Sequence, residues 1–188
     1  MKTDPLQDFI LKDEQNLRTA VAVSEAWPDV RSRLTKDFLD KLTTQILNLL
    51  PGFTTDSSES NGTWFNDKSA EFLLDKQTWE FYFVDLHFAE FGQNMRLGIV
   101  REEKLVVSKR PFSPEILETV RKLEPSAKQA KWWEAVFALR SPATNWRTPE
   151  VFWRMHTDPS FLDSVAEQMV RLAKATESVL DRLNKKKS

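Results

Sequence analysis

The sequence predicts an α+β fold, with a small antiparallel β-sheet packed by N-terminal helices and a long C-terminal helix. Three observations carry that expectation. Trp79 to Arg101 is the one long run dominated by aromatic and β-branched residues. Gly92-Gln93-Asn94 interrupts it with residues suited to a turn. On both sides of it the apolar residues recur at helical spacing. In the second half of the run Met95, Leu97 and Ile99 alternate with period two, so the stretch reads as a β-hairpin. Its first half puts Trp79, Phe81 and Phe83 on one face and then shifts the apolar set to Val84, Leu86 and Phe88, which predicts a bulge or burial on both faces. An isolated hairpin is not stable in water, so helices must cover it.

Ahead of the hairpin, Leu6, Phe9, Ile10, Leu17, Ala20 and Val21 trace the stripe of a helix over Pro5–Ser24. Pro28 is welcome at a first helical position and disruptive inside one, so a second helix is expected from Pro28 to Leu50. Val30, Leu34, Phe38, Leu42, Ile46 and Leu49 form its apolar face, and the mixed charges from Arg31 to Lys41 read as solvated surface. Pro51-Gly52 ends it. The polar run Thr54–Thr63 then reads as a loop, with Asn61-Gly62 allowing a further short strand near Phe53 or Trp64. Phe65–Gln77 is open between a short helix and an edge strand.

Behind the hairpin, Leu105-Val106-Val107 reads as a third strand, with Glu102 and Glu103 near a turn. Ser113-Pro114-Glu115 opens a helix that buries Leu117, Val120 and Leu123 and is closed by Pro125. Trp132–Leu139 is open between strand and helix. Thr148-Pro149-Glu150 and Asp158-Pro159-Ser160 repeat the helix-start signature. The last helix runs through Leu162, Val165, Met169, Leu172, Val179 and Leu183, interrupted by Thr176. Packing across the hairpin is favoured over pairing with a partner helix, because sustained heptads are missing. Asn184 and the lysines after it read as a solvated tail. The expected core includes Phe38, Leu42, Phe81, Phe83, Leu97, Ile99, Val165 and Met169.

A chain of 188 residues fits a single domain, with a helical pair over 1–50, a loop and β region over 51–110 and a helical region over 111–188. Hydrophobic residues at 40% and charged residues at 29% argue against disorder and against a membrane class. The formal net charge of −1 offers no global attraction to nucleic acid or anionic lipid, so any such binding needs a local patch. Absence of cysteine excludes disulfides and thiolate metal sites and suits a reducing compartment; with no long apolar run and no leader pattern, the expected location is cytoplasmic and no membrane partner is expected.

The stretch Leu11–Val30, with Asn16-Leu17, Ala20 and Val23-Ser24-Glu25-Ala26, resembles the segment that follows the catalytic core in bacterial and phage PD-(D/E)XK nuclease-like proteins. There a short helix of this flavour leads into a long helix like the one carrying Phe38-Leu39-Asp40-Lys41-Leu42. An aromatic β region with Gly98-Ile99, a Trp-containing stretch and a final amphipathic helix follow, so the likeness in order covers nearly the whole chain. The family's nuclease motif lies upstream of this region, so no catalytic residue carries over. The resemblance implies an accessory domain, standing alone, encoded beside a partner or excised from a larger protein.

Two constellations bear on chemistry. Asp85 with Glu102 and Lys104 has the Asp…Glu-x-Lys form that holds Mg²⁺ in metal-dependent nucleases, two carboxylates binding the hard cation and the lysine orienting water. Set against it, Arg101-Glu102-Glu103-Lys104 is fully charged and turn-like. Lys131, Arg140, Trp146, Arg147 and Arg154, with Lys128, Trp132, Trp133 and Trp153, interleave bases and indoles as single-strand binding requires, and Trp146-Arg147 is the pair expected at the surface. Core tryptophans flanked by surface charges give the same pattern. His87 and His156 are too far apart in sequence to suggest a shared metal, and four glycines supply no phosphate loop. The expectation is therefore a non-catalytic accessory module of a nuclease-like or defence-related system, without a cofactor, binding a protein partner or nucleic acid. A Mg²⁺-dependent nuclease and a structural remnant are the alternatives.

Overall fold

The structure, a computed structural model, describes residues 4–57, 69–90 and 92–184. Helix α1 (Pro5–Ile10) starts where the Asp4 side chain accepts the Leu6 amide at 2.9 Å, and α2 (Glu14–Leu49) where Asp13 accepts from Asn16 at 2.8 Å. The expected break at Pro28 does not occur: α2 runs straight through it for 36 residues. Proline removes one intrahelical donor, and at this exposed position water is at hand for the carbonyl of Ser24. Gly52, at φ +91°, ends the helical part in a conformation that side chains resist.

Among the described residues six strands follow in one sheet of order β1-β2-β3-β4-β6-β5, every neighbouring pair antiparallel. They are β1 (Thr54–Ser57), β2 (Ser69–Asp75), β3 (Tyr82–Ala89), β4 (Asn94–Arg101), β5 (Lys128–Ala130) and β6 (Trp133–Ala138). The expected hairpin is β3–β4, at the centre. Between β4 and β5 come α3 (Glu103–Val107) and α4 (Pro114–Leu123); α5 (Pro149–Thr157) and α6 (Pro159–Asn184) close the chain.

Several expectations are corrected. Leu105–Val107 is helical, because Glu102 caps α3 by accepting the Lys104 amide at 2.6 Å and the β4 edge is taken by β6 instead. The region after residue 111 thus contributes two strands and is not purely helical. Thr54–Ser57 is an edge strand and not loop, while Asn61, Gly62 and Trp64 lie outside the described residues. Within Phe65–Gln77, residues 69–75 form a strand covered on its outer side by β1, and residues 65–68 lie outside the described residues. Asn184 is no part of a solvated tail: it is buried, and its side-chain oxygen accepts the Glu80 and Phe81 amides at 2.9 and 2.7 Å. The lysines after it are outside the described residues.

Residues directly paired across strands share a face. Val84, Leu86 and Phe88 therefore stand with Ile99, Leu97 and Met95, and with Leu74, Phe72 and Ala70, all buried in the main core. Helix α6 lays Phe161, Val165, Met169 and Leu172 into this core, and α2 adds Phe38, Leu42 and Ile46. Each such side chain, fully buried, contributes roughly 1.5–3 kcal/mol. Thr176, which interrupts the apolar stripe of α6, is buried without penalty because its hydroxyl donates to the Leu172 carbonyl at 2.9 Å. On the other face Phe83 is half-buried against a smaller cluster of Val100, Trp133 and Val136. Burial on both faces, foreseen from the shifting apolar register of β3, is what the strand shows.

Gly98 permits a close approach of β4 and β6. A Cβ there would lie 2.2 Å from the carbonyl oxygen of Ala135 and 2.9 Å from the Cα of Val136, both backbone atoms of β6. Gly98→Ala should therefore destabilise the fold by about 2–3 kcal/mol or more through forced separation of β4 and β6. Urea denaturation measures this; an unchanged midpoint would contradict the β4–β6 packing.

Candidate functional site

The face of the sheet opposite the main core carries the most unusual charged group. Alternation along β3 puts Asp85 and His87 on this face, and the register with β2 sets Glu71 directly across from His87. His87 Nδ1 lies 3.4 Å from Asp85 Oδ2 and 3.8 Å from Glu71 Oε1. Asp85 is fully buried, His87 nearly so, and Glu71 reaches solvent. Across from Asp85 stands Gly98, which offers it no side chain. The imidazole of His87 meets the indole of Trp133 edge to face at 5.4 Å, so its plane is fixed by packing.

Neither oxygen of Asp85 has a hydrogen-bond partner of good geometry, and at 3.4 Å the His87 contact is longer than a good hydrogen bond. Burial consequently pushes the carboxyl up to about 7, His87 and, less, the Phe72 amide offsetting only part of that cost and the charge of Glu71 adding to it. A buried polar group left in this state is uncommon in native folds and is a pointer to function.

Asp85 is the one member of the sequence-derived triad found here. Glu102 lies four residues beyond Gly98, about 13 Å along the strand, and its carboxylate is engaged as the α3 cap, with Lys104 exposed beside it. The neighbours of Asp85 are Glu71 and His87, and these three are the group among the described residues whose oxygen and nitrogen atoms lie within 4.8 Å of one another. Their adjacency was half visible in the sequence, since Asp85-Leu86-His87 on a strand implies a shared face. Glu71 was not, because it depends on the register of a segment whose pattern did not distinguish strand from helix.

The basic and aromatic set is not brought together. Lys131 and Trp132 occupy the β5–β6 turn, with the ammonium 4.9 Å from the indole centroid, whereas Arg140 follows the opposite end of β6. Trp146 is fully buried, which corrects the expectation that it and Arg147 form a surface pair; Arg147 alone is exposed. Arg154 is engaged within its own helix region, 3.1 Å from Asp158 and over the ring of Phe161. Trp153 is exposed, yet lies against His156 and not beside a further base of the set.

The N-terminal helices hold a second candidate surface. No residue of α1, and none of α2 before Thr35, is buried, although Leu6, Phe9, Leu11, Leu17, Val21 and Val23 are all large and apolar. Between α1 and α2 runs a groove of about 470 Å³ floored by Leu6, Phe9, Ile10, Ala20, Val23 and Trp27. A larger cleft of about 700 Å³ between α2 and α6 is rimmed by Asp163, Glu167, Arg171 and Lys174, and is bridged by the Gln45–Asp163 hydrogen bond, which gives it a mixed and self-paired polar wall.

No family model, curated protein or solved structure matches the chain. Among the described residues, no helix is long and apolar enough to cross a membrane.

A carboxyl whose folded-state value near 7 exceeds its ordinary 3.8 holds its proton more tightly folded than unfolded. Stability from this group is thus greatest below about pH 4, falls as pH rises, and the penalty is complete above about pH 7. Three units of difference correspond to on the order of 4 kcal/mol. In EDTA-containing buffer, Asp85→Asn should flatten the loss of stability between pH 4 and 7 and be the more stable chain at pH 8. Parallel pH profiles for the two chains, by urea denaturation, would contradict the burial of an uncompensated carboxylate.

Proposed function

We propose that the protein is a non-catalytic binding module whose N-terminal helical arm docks onto a protein partner. One observation carries the reading: α1 and the first half of α2 expose a continuous apolar surface over about 30 Å of helix, where a soluble helix normally turns such residues into a core. An apolar helix face left to solvent gains stability only when something covers it.

Charge supports a protein occupant over nucleic acid. Residues 4–30 carry six acidic side chains and two basic ones, so this surface repels phosphate. The same imbalance opposes the pairing of two copies of the arm and favours a partner that presents an amphipathic helix with basic edges, its apolar side chains entering the groove between Phe9 and Val23. The setting we propose, a nuclease-like or defence-related assembly, is supported only by the sequence resemblance, which is carried by Leu11–Val30 and by the order of the features that follow.

Because Phe9 and Val23 are about 60% exposed, Phe9→Asp and Val23→Asp together should leave the circular dichroism spectrum and the melting temperature unchanged. Binding to the product of the neighbouring coding sequence, measured by calorimetry, should weaken at least a hundredfold. Binding that survives the double substitution would overturn the assignment to the arm. Sedimentation of a dimer that the same substitutions convert to monomer would show that a second copy is the occupant.

A further inference from the structure

We propose that Glu71, Asp85 and His87 form a binding site for a divalent transition-metal ion of the Zn²⁺ class on the face of the sheet opposite the main core. Two ligand atoms each about 2.0–2.1 Å from a tetrahedral ion stand about 3.4 Å apart. His87 Nδ1 lies 3.4 Å from Asp85 Oδ2 and 3.8 Å from Glu71 Oε1, so two of the three edges already have nearly that length. The remaining separation, within 4.8 Å, is spanned by the one flexible member, since Glu71 reaches solvent while the other two are fixed. An ion placed among them needs only a small movement of the Glu71 carboxylate.

A separate observation points to a ligand. Asp85 is completely buried, and neither of its oxygens has a hydrogen bond of good geometry, His87 and the Phe72 amide offsetting only part of the cost of burial, although a carboxylate in a protein interior is ordinarily satisfied by two or more donors. A cation accepts those lone pairs directly. The surroundings are also those of a prepared site: two ligands come from alternate positions of one central strand, the third from the adjacent paired strand, and the imidazole is held edge-on against Trp133.

The donor set selects the ion. One imidazole nitrogen with two carboxylates suits Zn²⁺, Fe²⁺ or Mn²⁺, whereas Mg²⁺ and Ca²⁺ prefer oxygen throughout. Three protein ligands leave at least one coordination position, and the exposed edge at Glu71 turns that position toward solvent.

The full chain, stripped with EDTA and dialysed, should take up one Zn²⁺ per molecule by calorimetry and elemental analysis, and melt at a higher temperature with the metal than without it. Cobalt(II) should give visible absorption bands of low coordination number, and excess Mg²⁺ should not displace either ion. Asp85→Asn and His87→Ala should each lower the affinity by more than the roughly 10–100-fold that outer-sphere groups contribute. Glu71→Gln, at a half-exposed position where folding is not at stake, should lower it at least tenfold, and His156→Ala should change nothing. Failure of the stripped wild-type chain to bind Zn²⁺, or equal binding by Glu71→Gln, overturns the proposal; so does loss of the ion on His156→Ala, which would place it elsewhere.

Discussion

The indole of Trp146 is the contact on which the arrangement of layers depends. It is fully buried in the segment joining β6 to α5, and three rings meet it edge-on: Phe38 of α2 at 5.4 Å, Phe88 of β3 at 5.5 Å and Phe161 of α6 at 5.3 Å. One side chain thereby fixes both long helices against the central strand. Its polar edge is satisfied locally, the ring nitrogen donating to the Ala143 carbonyl at 2.9 Å, so burial carries no unpaired donor. Its own amide donates to Gly92 in the β3–β4 turn, and Thr144 in the same segment accepts the Met95 amide. The hairpin turn, the helices and the linking segment are therefore held at one point. Because α2 enters this cluster only from Thr35 onward, its first half meets the core through the edge-to-face contact of Trp27 with Phe152 of α5 at 5.6 Å, and the exposed arm ahead of Trp27 follows from where the aromatic contacts fall along a 36-residue helix.

How much of this was legible depended on whether packing left a periodic trace. The β3–β4 hairpin was readable because its turn residues are distinctive and Met95, Leu97 and Ile99 alternate. Helices α4, α5 and α6 were readable from proline at their first positions, a local signal that needs no tertiary context. Strands β2 and β6 were not, because Phe72-Leu73-Leu74 and Ala135-Val136-Phe137 are apolar on both faces and such runs have no period to separate strand from helix. Trp146 was misplaced for a different reason. A polar segment with proline normally lies at the surface, and only the three facing rings draw this one inward. The candidate site was legible only where it was local: Asp85 and His87 share a strand, while Glu71 joins them through a register that no single sequence prints.

Two buried charged groups on the sheet illustrate opposite uses of the same chemistry. Arg101 and Glu134 lie 3.3 Å apart at one end of β4 and β6, and both are further occupied: the guanidinium donates to the Leu105 carbonyl and stacks over Phe112 at 4.5 Å, while Glu134 accepts the Ser113 amide at 2.6 Å. Burial raises the carboxyl of Glu134, and the Ser113 amide and Arg101 oppose it. This pair ties α3 and the start of α4 to the sheet, a structural task that explains why Arg101 is not part of an exposed charged turn.

Asp85 has no such network. Its neighbours are an imidazole, a second carboxylate and the Phe72 amide, without the guanidinium and the short amide hydrogen bond that compensate Glu134. Replacing Asp85 by an apolar residue of similar size would improve stability on general grounds, since an uncompensated carboxylate in the interior is costly. Among the described residues Asp85 is thus a fully buried carboxylate at the centre of the sheet, on a regular pair of strands, beside a ring held in place by Trp133. The cost of that residue and the rigidity of its setting are what a ligand site requires, and the exposed arm of α1 and α2 has neither. The surface binding proposed for α1 and α2 and the metal binding proposed for the sheet accordingly draw on different physics, apolar area in one case and a carboxylate already desolvated by folding in the other.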